Sequence, residues 1–308
     1  MRVLVVGASG FVGPYLVREL LRHDHHLLLL SPNGQALSVD QQLIPTLPCL
    51  LSDEKTLRSL IREYQPEAVV HLAGISQVAF AEKEPIQSLE INFLGTKTLC
   101  SALELELKQR CRLLYVSSSY IYGSYYSESG EVKIDETSPA HPDTIYGFSK
   151  YAGEFVVQSA DPQKIDAYIV RAFNHIGPKQ ASDFVCMALA MRIKGTPDFS
   201  QIEVGNMETY RDFSDVRDIV RAYRLIIEKA PPNKTFILGS GRCVAIKTIF
   251  DKLLDISGKN ITVRVNSDLY RPEKEKKIMA NTQLAQVQLG WTCEIALDQT
   301  LSDIYKSI

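Results

Sequence analysis

A tyrosine and a lysine stand four residues apart in the segment Tyr146-Gly147-Phe148-Ser149-Lys150. On a helix, residues with this spacing share one face. The positive charge of the lysine would favour the phenolate and lower the tyrosine pKa from its usual value of about 10. The tyrosine could then exchange a proton with an alcohol or carbonyl oxygen near neutral pH.

A serine-rich segment, Ser117-Ser118-Ser119-Tyr120-Ile121-Tyr122-Gly123, directly follows the apolar run Leu113–Val116. If that run is a strand of a parallel sheet, a hydroxyl at its end would lie at the carboxyl edge, where α/β proteins bind their ligands. A serine there could hydrogen-bond a reacting oxygen. Taken alone, the segment is better explained as a simple serine-rich turn.

A glycine turn near the start of the chain could hold a dinucleotide. It follows the apolar run Val3–Val6 and precedes the helical pattern Tyr15–Leu21. Glycines in this context let the backbone approach a pyrophosphate, which the first helical turn attracts through free N–H groups and its dipole. The turn reads Gly7-Ala8-Ser9-Gly10-Phe11-Val12-Gly13.

The elements that must position these residues alternate between strand and helix. Nearly continuous apolar runs indicate strands that are covered on both faces, as in a parallel sheet. The expected strands are Val3–Val6, Leu27–Leu30, Ala68–Leu72, Leu113–Ser117 and Ala167–Val170. The expected helices between them are Tyr15–Arg22, Glu54–Glu63, Ile86–Leu107 and Ile145–Gln158.

This alternation predicts an α/β fold with a Rossmann-type, doubly wound parallel sheet. After Phe173 the elements become shorter and are separated by prolines and glycines, which indicates a smaller α/β substrate lobe at the C-terminal end. We therefore expect a dinucleotide-binding domain over 1–172 and a substrate-binding lobe over 173–308. Part of that lobe, about 205–240, is expected to return to the first domain.

Composition narrows the classes of function. The chain has 308 residues and a formal net charge of −2, so no general attraction to nucleic acid or anionic membrane is expected. The first strand begins at residue 2, which leaves no room for a signal peptide, and no apolar run is long enough to span a bilayer. Six scattered cysteines without a C-x-x-C pair predict a cytoplasmic protein without disulfides or a metal site.

Together, these motifs resemble the extended short-chain dehydrogenase/reductase family. Its pattern also includes His71-Leu72-Ala73-Gly74 and Asn92-Phe93-Leu94-Gly95-Thr96, and motif order and spacing agree through nearly the whole chain. The resemblance implies that Ser118, Tyr146 and Lys150 are catalytic and that Lys150 also holds the nicotinamide ribose. The cofactor contacts that it implies are Gly7, Ser9, Gly10, Phe11, Val12, Gly13, Asp53, Leu72, Ala73 and Gly74.

Segments in the second half are similar to those of family members that act in GDP-mannose metabolism. They are Arg171–Pro178, Gly205–Glu208, Arg211–Asp218 and Tyr270–Glu273. The resemblance implies a nucleotide-sugar ligand. The residue types agree with this, since arginine forks suit a diphosphate and a glutamate accepts hydrogen bonds from ribose hydroxyls. The implied substrate contacts are Ser76, Ser119, Tyr120, Asn174, Arg211, Arg271 and Glu273.

One departure from the family pattern decides between reactions. Family members that are 4,6-dehydratases carry a glutamate three residues before the glycine of the serine segment, and Tyr120 occupies that position here. Because an ordinary tyrosine is a poor substitute for that acid/base group near neutral pH, we disfavour dehydration. The expected reaction is reduction of the 4-keto group of a nucleotide-linked 4-keto-6-deoxy sugar. A nucleotide-sugar 4-epimerase and a non-catalytic cofactor-binding protein remain as alternatives.

The sequence gives weaker signals for the choice between NAD and NADP and for the oligomeric state. The second strand ends at Ser31-Pro32-Asn33, without the acid that would select NAD through the ribose 2′-hydroxyl. Ser31 and Asn33 could tolerate a 2′-phosphate, so NADP is favoured and NAD stays possible. The resemblance also implies a homodimer formed through Ile86–Leu107 and Ile145–Gln158. Its candidate apolar contacts are Phe93, Leu94, Leu103 and Phe155, although packing in the core would explain these positions equally well.

Overall fold

The computed structural model describes residues 1–124, 130–266 and 277–308 of the chain. Its strands are β1 Arg2–Val6, β2 His26–Ser31, β3 Leu37–Val39, β4 Gln42–Ile44, β5 Leu47–Pro48, β6 Ala68–His71, β7 Cys111–Ser118, β8 Glu131–Ile134, β9 Ile165–Ala172, β10 Asn174–Ile176, β11 Gln201–Val204, β12 Tyr210–Asp215, β13 Lys234–Leu238, β14 Cys243–Ala245, β15 Thr262–Val265 and β16 Lys277–Ala280.

Helices lie between these strands. They are α1 Gly13–Leu21, α2 Glu54–Tyr64, α3 Val78–Lys83, α4 Pro85–Leu89, α5 Gly95–Glu106, α6 Ile145–Gln158, α7 Val185–Gly195, α8 Val216–Lys229, α9 Ile246–Ser257, α10 Gln283–Leu289 and α11 Leu297–Lys306. A π-helical turn, Glu90–Leu94, joins α4 to α5, and a 3₁₀ turn, Ser119–Tyr122, follows β7. No described helix is both long enough and apolar enough to cross a bilayer.

The centre of the fold is a seven-stranded parallel sheet in the order β13-β9-β7-β6-β1-β2-β5. The predicted α/β class and doubly wound parallel sheet are thus confirmed. The chain leaves β1 toward β2 on one side and later returns to β6 on the other. This reversal opens a crevice at the carboxyl ends of the strands, where the predicted site residues converge.

Apolar cores on both faces explain why the strands are almost entirely hydrophobic. Val3 and Val5 of β1 pack on one face, in the core that includes residues of α1 and α8. Leu4 and Val6 pack on the other, with residues of α2, α5 and α6. Side chains alternate across a strand, so a run without polar residues must be covered twice.

The helix expected over Ile86–Leu107 is interrupted, and this prediction was wrong in detail. The π-helical turn lies in its middle, and α5 ends at Glu106. Asn92 in that turn is 1% exposed, and its side-chain oxygen accepts a hydrogen bond from Ile75 N at 2.7 Å. Its amide nitrogen donates to Ile75 O at 3.1 Å. The wider turn directs the Asn92 side chain inward to hold the loop after β6, and such π turns are frequent at functional sites.

The second half contributes a smaller set of strands and a separate core. β10, β12 and β14 form a three-stranded sheet, and β11 pairs with β15. Apolar residues of α7, α9 and α11 pack together around them. In contrast, β13 forms the edge of the large sheet beside β9, and α8 lies against α1. The chain therefore passes between the large sheet and the smaller set of strands more than once.

Candidate active site

A cavity of about 910 Å³ lies between the carboxyl ends of the large sheet and the elements of the second half. Fourteen of the residues that the sequence predicts for the site line it, which brings the three motifs together. They are Gly7, Gly10, Phe11, Val12, Gly13, Leu72, Gly74, Ser76, Ser118, Tyr120, Tyr146, Lys150, Asn174 and Arg211.

Two glycines of the first turn are required by packing within the protein. Gly7 has φ +86°, and a Cβ on it would lie 2.5 Å from the Ala73 backbone nitrogen. A Cβ on Gly13 would lie 1.7 Å from Ala8 O. Gly10 differs, because a Cβ there would meet only Gly7 O at an ordinary 3.5 Å. The missing side chain of Gly10 therefore leaves space in the cavity for a ligand.

The start of α1 also faces this cavity. Its N-terminal cap, Val12, offers no side-chain acceptor to the first N–H groups of the helix. These groups and the positive end of the helix dipole suit a phosphate. The residues present therefore fit the pyrophosphate of a dinucleotide.

The serine and tyrosine are positioned by neighbouring elements that approach closely. Ser118 ends β7, and its Oγ accepts a hydrogen bond from Tyr120 N at 3.2 Å. Thr144 caps α6 by accepting from Gly147 N at 3.0 Å, which places Tyr146 in the first helical turn. A Cβ on Gly147 would lie 2.5 Å from Tyr120 O, so this glycine lets α6 contact the turn after β7. As a result the Tyr146 phenol lies near the Ser118 hydroxyl, which acts to lower its pKa.

Burial determines the protonation of Tyr146. It raises the pKa of the phenol to about 12, against the lowering effect of the nearby Ser118 hydroxyl. Tyr120, whose ring meets that of Tyr146 edge-on at 5.5 Å, raises the pKa further. Lys150 is not among the groups that shift this pKa, so the expectation that it makes the phenol acidic is not met. Tyr146 is a neutral proton donor at neutral pH.

Lys150 presents a buried ammonium to the cavity. Only 6% of the residue is exposed, and burial lowers its pKa to about 8. Its Nζ lies 4.9 Å from the centre of the Tyr115 ring, and a Cβ on Gly74 would be 3.4 Å away. Among the described residues the ammonium thus faces a ring rather than a hydrogen-bond acceptor. Its N–H groups remain available for hydroxyls such as those of a ribose.

Other predicted site residues do not line the cavity. Ala73 packs under Gly7, and Ser119 is buried in the 3₁₀ turn. Ser9 and Asn33 are exposed. Asp53 is also exposed, and it caps α2 by accepting from Thr56 N at 3.1 Å. Arg271 and Glu273 lie outside the described residues.

Ser31 cannot contact a 2′-phosphate in this structure, contrary to its predicted role. The residue is 1% exposed, and its hydroxyl lies 2.8 Å from Thr46 Oγ1. The same oxygen accepts from Gly34 N at 3.1 Å. Its function here is to tie the loop after β2 to the segment before β5.

The cavity also contains residues to which the sequence analysis gave no role. Gln77 donates a hydrogen bond to Asp183, which joins the loop after β6 to the loop before α7 across the cavity rim. Among the lining residues that the structure describes, Asp183 is the only carboxylate. No spacing rule connects these two positions, which are 106 residues apart.

In residues 1–124, 130–266 and 277–308, no group of three His, Cys, Asp or Glu side chains could hold a metal ion.

All six cysteines are free thiols in the structure. Burial raises the pKa of Cys100 and Cys186 to about 12. Both groups are therefore protonated near neutral pH and have little nucleophilic character.

Comparison with known proteins gives consistent results. A family model described as GDP-mannose 4,6 dehydratase matches residues 4–304. The chain is 30% identical to GDP-6-deoxy-D-mannose reductase of Pseudomonas aeruginosa, over 98% of this chain and 95% of that protein. It is 24% identical to UDP-glucose 4-epimerase of Caenorhabditis elegans, over 99% of this chain and 97% of that protein.

Among solved structures, the chain is similar to RMD from Pseudomonas aeruginosa complexed with NADPH. The TM-score is 0.84 at 28% identity, and the match covers 99% of this chain and 98% of the other. Since the family model covers almost the whole chain, the assignment of this chain to a family does not depend on one local motif. The chain belongs to the GDP-mannose 4,6-dehydratase-like family of extended short-chain dehydrogenases/reductases.

Proposed function

We propose that the protein reduces the 4-keto group of a nucleotide-linked 4-keto-6-deoxy sugar, with GDP-4-keto-6-deoxy-D-mannose as substrate and GDP-D-rhamnose as product. One observation supports reduction over dehydration. Around the Ser118 and Tyr146 hydroxyls the described cavity wall carries Tyr120 where a dehydratase needs a carboxylate. Similarity to a GDP-6-deoxy-D-mannose reductase supports the choice of substrate.

The proposed chemistry assigns one task to each polar group. Bound NADPH would supply a hydride to carbon 4 of the sugar. Tyr146, which is protonated at neutral pH, gives its proton to the forming alkoxide, and Ser118 donates a hydrogen bond to the same oxygen. Lys150 holds the nicotinamide ribose. Donors aimed at developing negative charge are often the largest single contribution to catalysis.

We propose NADP rather than NAD as the cofactor. The chain has no acid directly after β2 to select the 2′-hydroxyl, since Ser31, Pro32 and Asn33 occupy those positions. A relative of known structure was solved with NADPH. Comparing kcat/KM for NADPH and NADH tests this choice, and a higher value for NADH would contradict it.

Incubation of the purified protein with GDP-4-keto-6-deoxy-mannose and NADPH tests the proposed function. We expect stoichiometric oxidation of the cofactor and a product with a hydroxyl at carbon 4, identified by NMR. An epimerase would instead retain its cofactor and interconvert nucleotide-sugars without net oxidation. Absence of turnover on any nucleotide-sugar would support a non-catalytic protein.

Arg211 is proposed to contact the diphosphate of the substrate. It lines the cavity, and its Nη1 also donates to Tyr210 O at 2.7 Å. We expect Arg211→Gln to raise KM for the nucleotide-sugar about tenfold, the factor for a lost charge-assisted hydrogen bond, with a smaller change in kcat. The control is Arg22→Gln, whose side chain is 65% exposed at the end of α1. Equal KM values for both variants would remove Arg211 from this role.

We also propose a homodimer that buries the outer faces of α6 and of the helical segment Ile86–Leu107. Phe155 is 70% exposed and Leu94 is 51% exposed, as expected for a face that awaits a partner. Leu103 is fully buried and Phe93 packs against the same core, so these two candidates are core residues instead. The cytoplasmic location, which was predicted from the scattered cysteines, is a separate prediction that these contacts do not test.

The dimer prediction is tested by Phe155→Glu, which places a charge on this face. We expect sedimentation velocity to show a shift from dimer to monomer. Val287→Glu, at a position that is 76% exposed on α10, is the matched control and should leave the dimer intact. A wild-type protein that sediments as a monomer would refute the proposed assembly.

A further inference from the structure

A buried pair of opposite charges lies behind the catalytic residues and has no part in the proposed chemistry. Glu154 on α6 is 1% exposed, and Arg171 on β9 is 8% exposed. Arg171 donates to the carboxylate from Nε at 3.1 and 3.2 Å and from Nη2 at 2.8 Å. Ser117 Oγ donates to the same carboxylate at 2.5 Å, and Arg171 Nη1 donates to the Tyr122 hydroxyl at 3.0 Å.

Each member of this cluster adjoins a functional group. Glu154 follows Lys150 by one helical turn, so the two side chains share one face of α6. Ser117 precedes Ser118 on β7, and Tyr122 ends the 3₁₀ turn that follows. The pair therefore links the helix that carries the lysine to the strand end that carries the serine.

Stability alone does not explain this arrangement. A buried ion pair costs desolvation energy, and well-packed apolar residues of similar volume are often equally stabilising. The charges require another reason, and the nearest candidate is the ammonium of Lys150.

The groups that face Lys150 show why Glu154 matters to it. On β7, the Tyr115 ring lies beneath Nζ, and burial raises the pKa of its phenol well above the ordinary value. On β6, burial and Lys150 lower the pKa of His71 to about 3, so this imidazole is neutral. Tyr146 on α6 is neutral as well. Among the described groups that affect Lys150, the negative charge is that of Glu154. It raises the pKa of Lys150, whereas burial lowers it.

We propose that Glu154 is a positioning residue that keeps Lys150 protonated at the cavity wall, and that Arg171 moderates this effect by sharing the carboxylate. Protonated Lys150 donates hydrogen bonds to the ribose of the cofactor, whereas a neutral amine would bind more weakly. The consequence for cofactor binding rests on the proposed function, but the charge coupling itself does not.

NMR titration of the full-length protein without cofactor tests the coupling. Lysine labelled with ¹³C at Cε reports each ammonium, and Lys150→Met identifies the Lys150 signal. We expect Glu154→Gln to lower the titration midpoint of Lys150 by about one pH unit or more. Arg171→Gln should raise it, because Glu154 then has Lys150 as its main cation. Arg171→Lys keeps the charge and is the matched control, with a midpoint near that of the wild type.

The opposite directions separate charge coupling from a merely structural role. Unchanged midpoints in both charge-removing variants, or a shift in the same direction in both, would overturn the proposal. If Glu154→Gln does not fold, the direction of the Arg171→Gln shift still decides. NADPH affinity measured against pH is the second readout: it should be full below the Lys150 midpoint and weaken as the pH rises through it. Midpoints that shift as expected without any pH dependence of NADPH binding would leave the coupling intact and contradict the proposed role of Lys150.

Discussion

Replacing Tyr146 by phenylalanine will lower kcat by a factor on the order of 10² or more, which is the usual loss when a general acid is removed. The phenol is buried, lies near the Ser118 hydroxyl and is protonated at neutral pH, so it is ready to give a proton. Phenylalanine preserves the ring and its edge-on contact with Tyr120 at 5.5 Å. The affinity for NADPH and the free energy of unfolding should therefore change little.

The matched control is Tyr151→Phe. Tyr151 lies on the same helix but is 42% exposed and does not line the cavity. Steady-state kinetics on the three proteins, with NADPH binding measured by fluorescence, check the prediction. A Tyr146→Phe enzyme with a kcat close to that of Tyr151→Phe would show that another group supplies the proton.

Replacing Gly13 by alanine will lower the free energy of unfolding by roughly 3 kcal/mol, the upper part of the usual range for forcing an extra methyl group into a packed site. The new Cβ would lie 1.7 Å from Ala8 O, and backbone atoms cannot move aside as a flexible side chain can. Because α1 and the glycine turn must then separate, cofactor affinity should fall together with stability. Urea unfolding followed by circular dichroism measures the first effect.

Gly10→Ala separates packing from binding in the same turn. A Cβ there meets Gly7 O at 3.5 Å, an ordinary contact, so the free energy of unfolding should stay within about 0.5 kcal/mol of the wild type. The methyl group would instead occupy space that a pyrophosphate needs, and NADPH should bind at least tenfold more weakly. Wild-type affinity in Gly10→Ala would argue against a cofactor at this turn.

The parallel sheet could be predicted because local patterns determine it. Each apolar run, such as Val3–Val6, must be covered on two faces, and the structure buries alternate residues of β1 in two different cores. The start of α6 matches the predicted Ile145, and the structure shows the local reason, since the Thr144 side chain caps the first turn. Tyr146 and Lys150 were identified by their four-residue spacing, whereas the family resemblance was needed to single out Ser118 among the serines after β7.

Other features depend on contacts between residues that are distant in sequence. The π-helical turn around Asn92 places its side chain in contact with Ile75, 17 residues earlier. The burial of Ser31 depends on Thr46, and the protonation of Tyr146 depends on burial rather than on the nearby lysine. Periodicity and spacing carry no information about such contacts.

Transfer of deuterium from NADPH deuterated at both positions of nicotinamide carbon 4 tests the central claim most directly. If the cavity performs the proposed reduction, mass spectrometry of the product sugar will show one added deuterium, and NMR will place it at carbon 4. A sugar product without deuterium at carbon 4, or a label that remains in the cofactor while the sugar is converted, would contradict hydride transfer to that carbon.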